Sequence, residues 1–337
     1  MKKKLTALLL AATMTLTLTA CGTTSSTSSA SPAASSSAAA SSDKTYTVGI
    51  CQLVQHPALD AATKGFKQAL TDKLGDKVKF DEQNASGDTA TCATICNQFV
   101  SSNVDLIMAN ATTALQAAQT ATSTIPVLGT SVTDYGTALG IQNWTGKTGT
   151  NVSGTSDLAP LDKQADIVKE LFPDAKKVGI LYCSAEPNSK YQSTVITGYL
   201  EKLGYTCKEY TFSDSNDLQS VATSCANDSD VVYVPTDNTV ASNAAIIKNV
   251  CVPLKKPVVA GEEGICSGCG VATLSISYYD LGYETGEMAY DILVNGKNPG
   301  DTEVKFAPKF TKEYNADICK ELGITLPSDY QAIKAAS

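Results

Sequence analysis

The chain has 337 residues, of which 43% are hydrophobic, and a formal net charge of −8. This length is enough for two domains, and the hydrophobic fraction allows a sizeable core. The acidic balance argues against nucleic acid as a partner, because surfaces that bind nucleic acid are basic. We find no Gly-rich phosphate loop, no GxSxG elbow and no metal-ligand cluster, and we therefore expect no cofactor and no metal.

The first twenty residues have the pattern of a secretory signal peptide. Residues 2–4 are lysines, and residues 5–20 are apolar and Thr-rich, too short for a comfortable membrane span. The tetrapeptide Leu-Thr-Ala-Cys at 18–21 looks like a bacterial lipobox, which implies cleavage before Cys21 and lipidation of its thiol. The alternative is an ordinary secreted protein with a chance cysteine. We expect an extracytoplasmic protein that a lipid holds to the cell membrane.

Residues 21–44 are composed almost entirely of Ser, Thr and Ala. The segment has no large apolar side chain after Cys21 and so has nothing with which to form a core. We interpret it as a flexible tether between the anchor and the folded part of the chain.

The rest of the chain alternates predicted strands and helices in two similar units. The tripeptide Val-Gly-Ile at 48–50 returns at 178–180, and the Pro-Val that begins the fourth strand at 126–127 returns at 257–258. Strands that alternate with helices form parallel sheets, so the pattern predicts an α/β protein with two lobes. Residues 151–160, polar and turn-rich, are predicted to be the first crossing between them.

One polar stretch, residues 236–239, lies between a predicted strand and a predicted helix. Ligands of open α/β sheets bind beyond the carboxyl ends of strands, and the N–H groups that begin a helix can hold an anion. The carboxylate of Asp237 could hold a cation, so this loop suits a zwitterion. The alternative is that Thr236, Asp237 or Asn238 simply caps the helix.

The chain contains 11 cysteines. Cys266 and Cys269 form the only CxxC pair, which we place in a Gly-rich loop before a strand, where a disulfide is possible. A zinc site would need a second such pair. Most of the other cysteines are interpreted as small buried hydrophobic residues.

Several of these segments together resemble the substrate-binding lipoproteins of ABC importers. They are His-Pro-Ala-Leu-Asp at 56–60, the stretch 233–242, Gly-Glu-Glu-Gly at 261–264, Asn-Val-Ser-Gly-Thr-Ser-Asp at 151–157 and Tyr-Tyr-Asp-Leu-Gly-Tyr at 278–283. The branch that they resemble includes proteins that bind tryptophan and other aromatic amino acids. The resemblance covers nearly all of the chain after the tether.

The resemblance implies the type I periplasmic binding protein fold, with two Rossmann-like lobes, parallel sheets and a hinge of three crossings. Lobe 1 would contain residues 45–154 and 277–303, and lobe 2 residues 155–276 and 304–327. A monomer would capture a small molecule between the lobes and deliver it to the permease of an ABC transporter. The candidate ligand-binding residues are Gln52, His56, Pro57, Thr112, Thr113, Thr133, Asp134, Glu186, Asn188, Ser189, Thr236, Asp237, Asn238, Thr239 and Glu263.

Our hypothesis for the ligand is an aromatic L-amino acid such as tryptophan. Its carboxylate would lie at the helix start of Thr112 and Thr113, unless these residues only cap the helix. Its ammonium would meet Asp237, with Glu263 or Asp134 as rivals. His56 and the proline after it would form a flat wall for the aromatic ring.

Two other functions remain open from the sequence. A hydrolase could use Cys51 as nucleophile and His56 as base, although no residue is evident that would orient the base. A binding protein of the same fold could instead take a sugar or a nucleoside, because fold does not fix the ligand.

Overall fold

The structure, a computed structural model, describes residues 44–334. The predicted signal peptide, the lipidation residue Cys21 and the tether up to residue 43 lie outside these residues. Within the described part, no helix is long and apolar enough to cross a membrane.

The first part of the described chain alternates strands and helices. Its elements are β1 (Tyr46–Gln52), α1 (Pro57–Leu74), β2 (Val78–Asn84), α2 (Thr89–Ser101), β3 (Leu106–Asn110), α3 (Thr112–Ala121), β4 (Val127–Val132), α4 (Tyr135–Leu139) and β5 (Val152–Ser156).

The second part repeats the alternation and ends in short elements. They are α5 (Leu161–Leu171), β6 (Lys177–Cys183), α6 (Pro187–Lys202), β7 (Thr206–Phe212), α7 (Ser215–Asp228), β8 (Val231–Val234), α8 (Asn238–Ser242), α9 (Ala244–Cys251), β9 (Val258–Ala260), α10 (Glu263–Cys269), β10 (Ala272–Ser275), α11 (Tyr278–Asn295), β11 (Lys305–Phe306), β12 (Thr311–Tyr314), α12 (Ala316–Leu322) and β13 (Gln331–Ala332).

The strands form two sheets. The first has six strands in the order β11-β5-β4-β3-β1-β2, and the second has seven in the order β13-β12-β10-β9-β8-β6-β7. All neighbours are parallel except β10 and β12, which are antiparallel. The predicted α/β class with parallel sheets is confirmed. We call the first sheet and its helices lobe 1, and the second sheet and its helices lobe 2.

The chain crosses between the two sheets three times. It passes to the second sheet after β5, returns after β10, and passes over again after β11. Three crossings bring the lobes close together at one side, and this is the hinge that the sequence predicts for the type I periplasmic binding protein fold.

Two of the predicted lobe boundaries need correction. Residues 151–160 contain the buried strand β5, which pairs with β4, and so they are more than a crossing. The prediction placed residues 304–327 in lobe 2, but β11 pairs with β5 at Thr155 and Ser156, so the third crossing comes after residue 306. The polar composition of β5 made it look like a loop in the sequence. The strand can be buried because its hydroxyl groups form hydrogen bonds inside the lobe: the hydroxyl of Thr155 lies 3.2 Å from that of Thr130 and 2.8 Å from that of Thr285.

The predicted position of the CxxC pair was wrong. Cys266 and Cys269 lie in helix α10, and both are buried free thiols. Glu262 begins this helix by accepting hydrogen bonds from the backbone N–H groups of Gly264 and Ile265. The glycines that suggested a loop serve packing instead, since a β-carbon on Gly268 would collide with the side chain of Ala244.

Helix α11 lies against α1 on lobe 1 and positions the hinge. Two glycines allow the close approach: a β-carbon on Gly282 would overlap the carbonyl of Ala62, and one on Gly65 would overlap the carbonyl of Tyr279. His56 is the N-cap residue of α1, and α11 follows the second crossing. The packing of α11 on α1 therefore fixes the position of His56 relative to the hinge.

Candidate functional site

The carboxyl ends of both sheets face each other across a cleft between the lobes. At least two direct side-chain hydrogen bonds connect the lobes there. Nε2 of His56 in lobe 1 lies 3.2 Å from Oδ1 of Asn238 in lobe 2. Nε2 of Gln192 in lobe 2 lies 3.4 Å from Oγ1 of Thr133 in lobe 1.

Glu186, at the start of α6, is the centre of the hydrogen-bond network on the lobe 2 side. Its Oε1 accepts bonds from the backbone N–H and the hydroxyl of Thr239, both at 2.8 Å. Its Oε2 accepts from the backbone N–H of Asn238 at 3.0 Å and from the side-chain amide of Asn238 at 2.7 Å. The amide of Asn188 donates to the same oxygen at 3.1 Å. Glu186 therefore fixes the start of α8 and two asparagine side chains.

Asp237 is the N-cap of α8, as the alternative interpretation of this loop predicted. Its Oδ1 accepts from the backbone N–H of Val240 at 2.8 Å. Its Oδ2 accepts from the backbone N–H of Cys183 at 2.7 Å and from the hydroxyl of Ser189 at 2.8 Å. Burial and the nearby charge of Glu186 raise the pKa of Asp237 above its ordinary value.

The two carboxylates lie side by side without a cation. Glu186 is 5% exposed and Asp237 is 1% exposed. None of the ion pairs among residues 44–334 includes either carboxylate. Buried charge of one sign is costly, so this side of the cleft favours a positively charged ligand group.

His56 is the N-cap residue of α1, but its side chain forms no cap hydrogen bond, and it is buried, with 7% exposure. Burial lowers its pKa, while its bond to Asn238 and the charges of Glu186 and Asp60 oppose that shift. Its Nδ1 has no hydrogen-bond partner in the protein. Pro57 is exposed and begins α1, so only the imidazole is enclosed.

Three more buried polar atoms near the strand ends lack a protein partner. They are Oδ1 of Asn110 at the end of β3, Oγ of Ser131 within β4, and Oδ1 of Asn188 at the start of α6. The two asparagine oxygens can only accept hydrogen bonds, and the amide nitrogens of the same side chains already donate to other groups. With Nδ1 of His56, three of these four unpartnered atoms are therefore acceptors. Buried polar groups normally have partners, so these atoms point to a ligand rich in donors.

Helix α3 begins in the cleft without a side-chain cap. Its N-cap residue Ala111 has φ 91°, which an L-residue rarely adopts, and Thr112 and Thr113 follow, both buried. A helix start with free N–H groups attracts anions, and strained backbone is found at functional sites. The alternative in which these threonines cap the helix is wrong, since no cap bond forms.

A cavity of about 230 Å³ lies between the lobes. Thr113 lines it from lobe 1, and Glu186, Asn238 and Thr239 line it from lobe 2. The structure thus brings the predicted helix start of α3 and the predicted loop before α8 to one cavity.

Other candidate residues have different surroundings. Gln52 bonds inside lobe 1, to the carboxylate of Asp60 at 2.7 Å and the hydroxyl of Thr63 at 2.6 Å. Asp134 caps α4 through the backbone N–H of Thr137. Glu263 is half-buried and lines a second cavity, of about 410 Å³, together with Pro57, on the hinge side.

The sequence analysis missed several residues of the cleft. Gln192 is 1% exposed, bonds to Thr133 across the cleft, and accepts from the backbone N–H of Thr236 at 3.1 Å. The signal was its helical spacing from Asn188, four residues earlier on the same face of α6. Loops after the outer strands β2 and β7 also reach the cavity, with Ser86, Thr89, Ser213 and Ser215.

The environment of Cys51 does not suit a nucleophile. Cys51 is fully buried, and hydrogen bonds with the thiols of Cys92 and Cys96 raise its pKa. A reactive cysteine needs the opposite, a lowered pKa and some exposure.

Known proteins resemble the chain over most of its length. A tyrosine-binding protein of Clostridioides difficile is 42% identical over 284 residues, which are 83% of this chain and 82% of that protein. A Streptococcus pneumoniae ABC domain in complex with L-Trp is 34% identical, with a TM-score of 0.81, over 85% of this chain and 97% of that one.

A ligand-free, open structure of a Clostridium difficile substrate-binding protein with adhesive properties is 39% identical. It covers 86% of this chain and 100% of that one, but its TM-score is only 0.66. The chain therefore superposes better on the tryptophan complex than on the open protein, although its sequence is nearer to the latter. Together with the two bonds across the cleft, this indicates that the lobes are closed.

Residues 47–335 match the family described as ABC transporter substrate binding protein. Its members bind solutes and are not enzymes, and the substrate-binding proteins of ABC importers work outside the cytoplasm. On this match, and on a relative that is 42% identical, the chain belongs to the family of ABC transporter substrate-binding proteins.

Proposed function

We propose that this protein captures an aromatic L-amino acid as a zwitterion in the interlobe cleft and delivers it to the permease of an ABC importer. The observation that carries the proposal is the buried pair of carboxyl groups of Glu186 and Asp237, which form no ion pair within residues 44–334, together with unpartnered acceptor atoms of both lobes. A ligand ammonium would supply both the cation and the donors.

The start of α3 is the proposed site for the ligand carboxylate. Thr113 lines the cavity opposite Glu186, so the two ends of a zwitterion would meet charges of the right sign on opposite lobes. Closure of the lobes would thus be favoured only when both ends are present. This assignment places the ammonium near Glu186 and Asn188; the direct contact with Asp237 is less favoured, because Asp237 already accepts three bonds.

The aromatic side chain is proposed from the relatives, which include a tyrosine-binding protein and a domain that was solved with L-Trp. Burial of an aromatic ring removes roughly 150–250 Å² from water, worth about 4–6 kcal/mol. Each charge-assisted hydrogen bond adds roughly 1.5–3 kcal/mol, and ordering subtracts several. Micromolar or tighter affinity, about −8 kcal/mol, is within reach.

Titration calorimetry with three related molecules tests the zwitterion. L-Tyrosine carries both charged groups, tyramine lacks the carboxylate, and 3-(4-hydroxyphenyl)propionate lacks the ammonium. We expect L-tyrosine to bind and each analogue to bind at least about tenfold more weakly, the effect of one lost charge-assisted bond. An analogue that binds as well as the amino acid would contradict the proposal.

A charge-neutralising variant tests the lobe 2 side. Glu186→Gln should weaken the binding of L-tyrosine. It should weaken the binding of tyramine by a similar factor, because both ligands carry the ammonium group. Glu201→Gln, on the exposed face of the same helix α6, is the matched control and should leave affinity unchanged.

The membrane anchor is also proposed. Lipidation of Cys21 would hold the protein at the cell surface, and residues 22–44 would give it reach. Cys21→Ala should move the protein from the membrane fraction to the soluble fraction without loss of amino-acid binding. Retention in the membrane fraction would count against the anchor and leave the binding proposal untouched.

A further inference from the structure

The protonation of the His56 ring follows from its neighbours. Oε2 of Glu186 accepts the backbone N–H of Asn238 at 3.0 Å, and Oε1 accepts the backbone N–H of Thr239 at 2.8 Å. Both carboxyl oxygens therefore act as acceptors. The side-chain group of Asn238 at 2.7 Å from Oε2 must then be its amide nitrogen, which turns the carbonyl oxygen Oδ1 toward His56.

A carbonyl oxygen only accepts, so Nε2 of His56 carries the proton of the 3.2 Å bond to Asn238. In a neutral ring Nδ1 then holds a lone pair. That atom is buried in a residue with 7% exposure, and no group within residues 44–334 donates to it. A buried acceptor without a donor is costly, and so a donor is expected from outside the protein.

A second unpartnered acceptor belongs to the same network. The amide of Asn188 donates to Oε2 of Glu186, the oxygen that also holds Asn238, and Oδ1 of Asn188 has no partner. His56 and Asn188 thus hold one unpartnered acceptor in each lobe, and both belong to the hydrogen-bond network around Glu186, a carboxylate without an ion pair within residues 44–334. A positively charged donor suits this position better than a neutral hydroxyl or indole N–H.

We propose that Nδ1 of His56 accepts a hydrogen bond from the ligand ammonium while its Nε2–H holds Asn238, so that one imidazole joins the bound ligand to the closing lobe. The inference rests on the proposed amino-acid function. His56 then selects for a primary ammonium and couples occupancy of the cleft to closure, since both ring nitrogens have partners only in the closed, occupied protein.

His56 is the single histidine of the chain, which makes a direct test possible. Protein labelled with ¹⁵N-histidine gives one pair of imidazole nitrogen signals. In the complex with L-phenylalanine or L-tyrosine we expect a protonated Nε2 and an unprotonated Nδ1, with Nδ1 shifted upfield from a free lone-pair nitrogen because it accepts a bond. Calorimetry on the same samples reports whether the ligand is bound.

The outcomes separate the two proposals. If an amino acid binds but Nδ1 is protonated, or keeps the shift of a nitrogen without a partner, the role of His56 is wrong and the function stands. An Nδ1 shift with tyrosine and tryptophan but not with phenylalanine would assign the bond to a ring donor and overturn the ammonium assignment. If no amino acid binds, the proposed function fails, and this inference fails with it.

Substitution gives a second measurement. A glutamine amide can replace Nε2–H as donor to Asn238 but leaves no acceptor at the position of Nδ1, so His56→Gln should weaken amino-acid binding about tenfold or more. Gln55→Ala, at the exposed neighbouring residue, is the control and should have no effect. Unchanged affinity in His56→Gln, with an unchanged melting temperature of the free protein, would contradict the proposal.

Discussion

The imidazole of His56 and the side-chain amide of Asn238 form a hydrogen bond of 3.2 Å although 182 positions separate them in the chain. The bond joins the N-terminus of α1 in lobe 1 to the N-terminus of α8 in lobe 2. A second side-chain hydrogen bond across the cleft, between Gln192 and Thr133, is longer at 3.4 Å. Direct bonds of this kind break readily when the lobes open, as delivery of a ligand requires.

Asn238→Ala should shift the protein toward the open state. The substitution removes the acceptor for His56 and one donor to Glu186. We expect affinity for the amino acid to fall about tenfold, because one buried hydrogen bond is worth roughly 1 kcal/mol and its loss leaves two groups unpaired. Small-angle scattering at subsaturating ligand should give a larger radius of gyration than in the wild type.

The control for that variant is Asn227→Ala, at an exposed position near the C-terminal end of α7. It removes the same side chain at the end of the helix away from the cavity and should change neither affinity nor radius. Equal affinity of Asn238→Ala and the wild type would show that the bond across the cleft is incidental to binding.

Two glycine substitutions should have opposite effects on stability. Gly282→Ala forces a methyl group into the carbonyl of Ala62 where α11 meets α1, and should lower the free energy of unfolding by about 2 kcal/mol or more. Gly198→Ala meets no atom within 4 Å on α6 and should raise it by about 0.5–1 kcal/mol. Urea unfolding of both variants measures the difference; similar effects would contradict the close helix packing.

Stability without ligand should fall as pH rises from about 4 to 7, the range between the unfolded and the folded pKa values of three buried or half-buried carboxyl groups. Burial raises the pKa of Asp157 from 3.8 to about 6 and that of Glu262 from 4.5 to about 7. Burial and the charge of Glu263 raise the pKa of Glu313 from 4.5 to about 7. A carboxyl whose folded pKa is raised contributes stability below its unfolded pKa and loses that contribution as pH passes the folded pKa.

His56 opposes this trend, because its lowered pKa removes stability as pH falls below 6.5, but it is one group against several. Glu313→Gln isolates one contribution. The variant should be more stable than the wild type by about 1–2 kcal/mol at pH 8.5, after allowance for solvent screening, and nearly equal to it at about pH 4. A stabilisation that is the same at both pH values would mean that the charge of Glu313 is not its cause.

The sequence was sufficient for the fold because each unit repeats a strong local pattern. The repeated Val-Gly-Ile at 48–50 and 178–180 lies in β1 and β6, and the repeated Pro-Val at 126–127 and 257–258 comes at the start of β4 and β9. The sequence was insufficient where the local residue pattern is typical of one structure and the folded protein adopts another. After Val152, β5 is composed of serine, glycine and threonine, which are typical of turns, and neighbouring hydroxyl groups pair with it inside the lobe.

The loops that form the site could be predicted from the sequence, but the hydrogen-bond partners of their side chains could not. Position at a strand end was enough to nominate Glu186, Asn188 and Asn238. The residue pattern could not show that Asp237 accepts hydrogen bonds from backbone N–H groups of its own lobe. Nor could it show that Glu186 accepts a hydrogen bond from the side chain of Asn238, which faces the cleft. Such partner choice depends on geometry across 52 positions of the chain, which no local spacing encodes.

The central claim is that the interlobe cleft binds an aromatic amino acid, and thermal unfolding with each of the twenty amino acids tests it most directly. Binding to the folded state raises the melting temperature by mass action. We predict a rise with tyrosine, tryptophan or phenylalanine and none with small or acidic amino acids. An unchanged melting temperature across the whole panel, with a rise for a sugar or a nucleoside, would contradict the account.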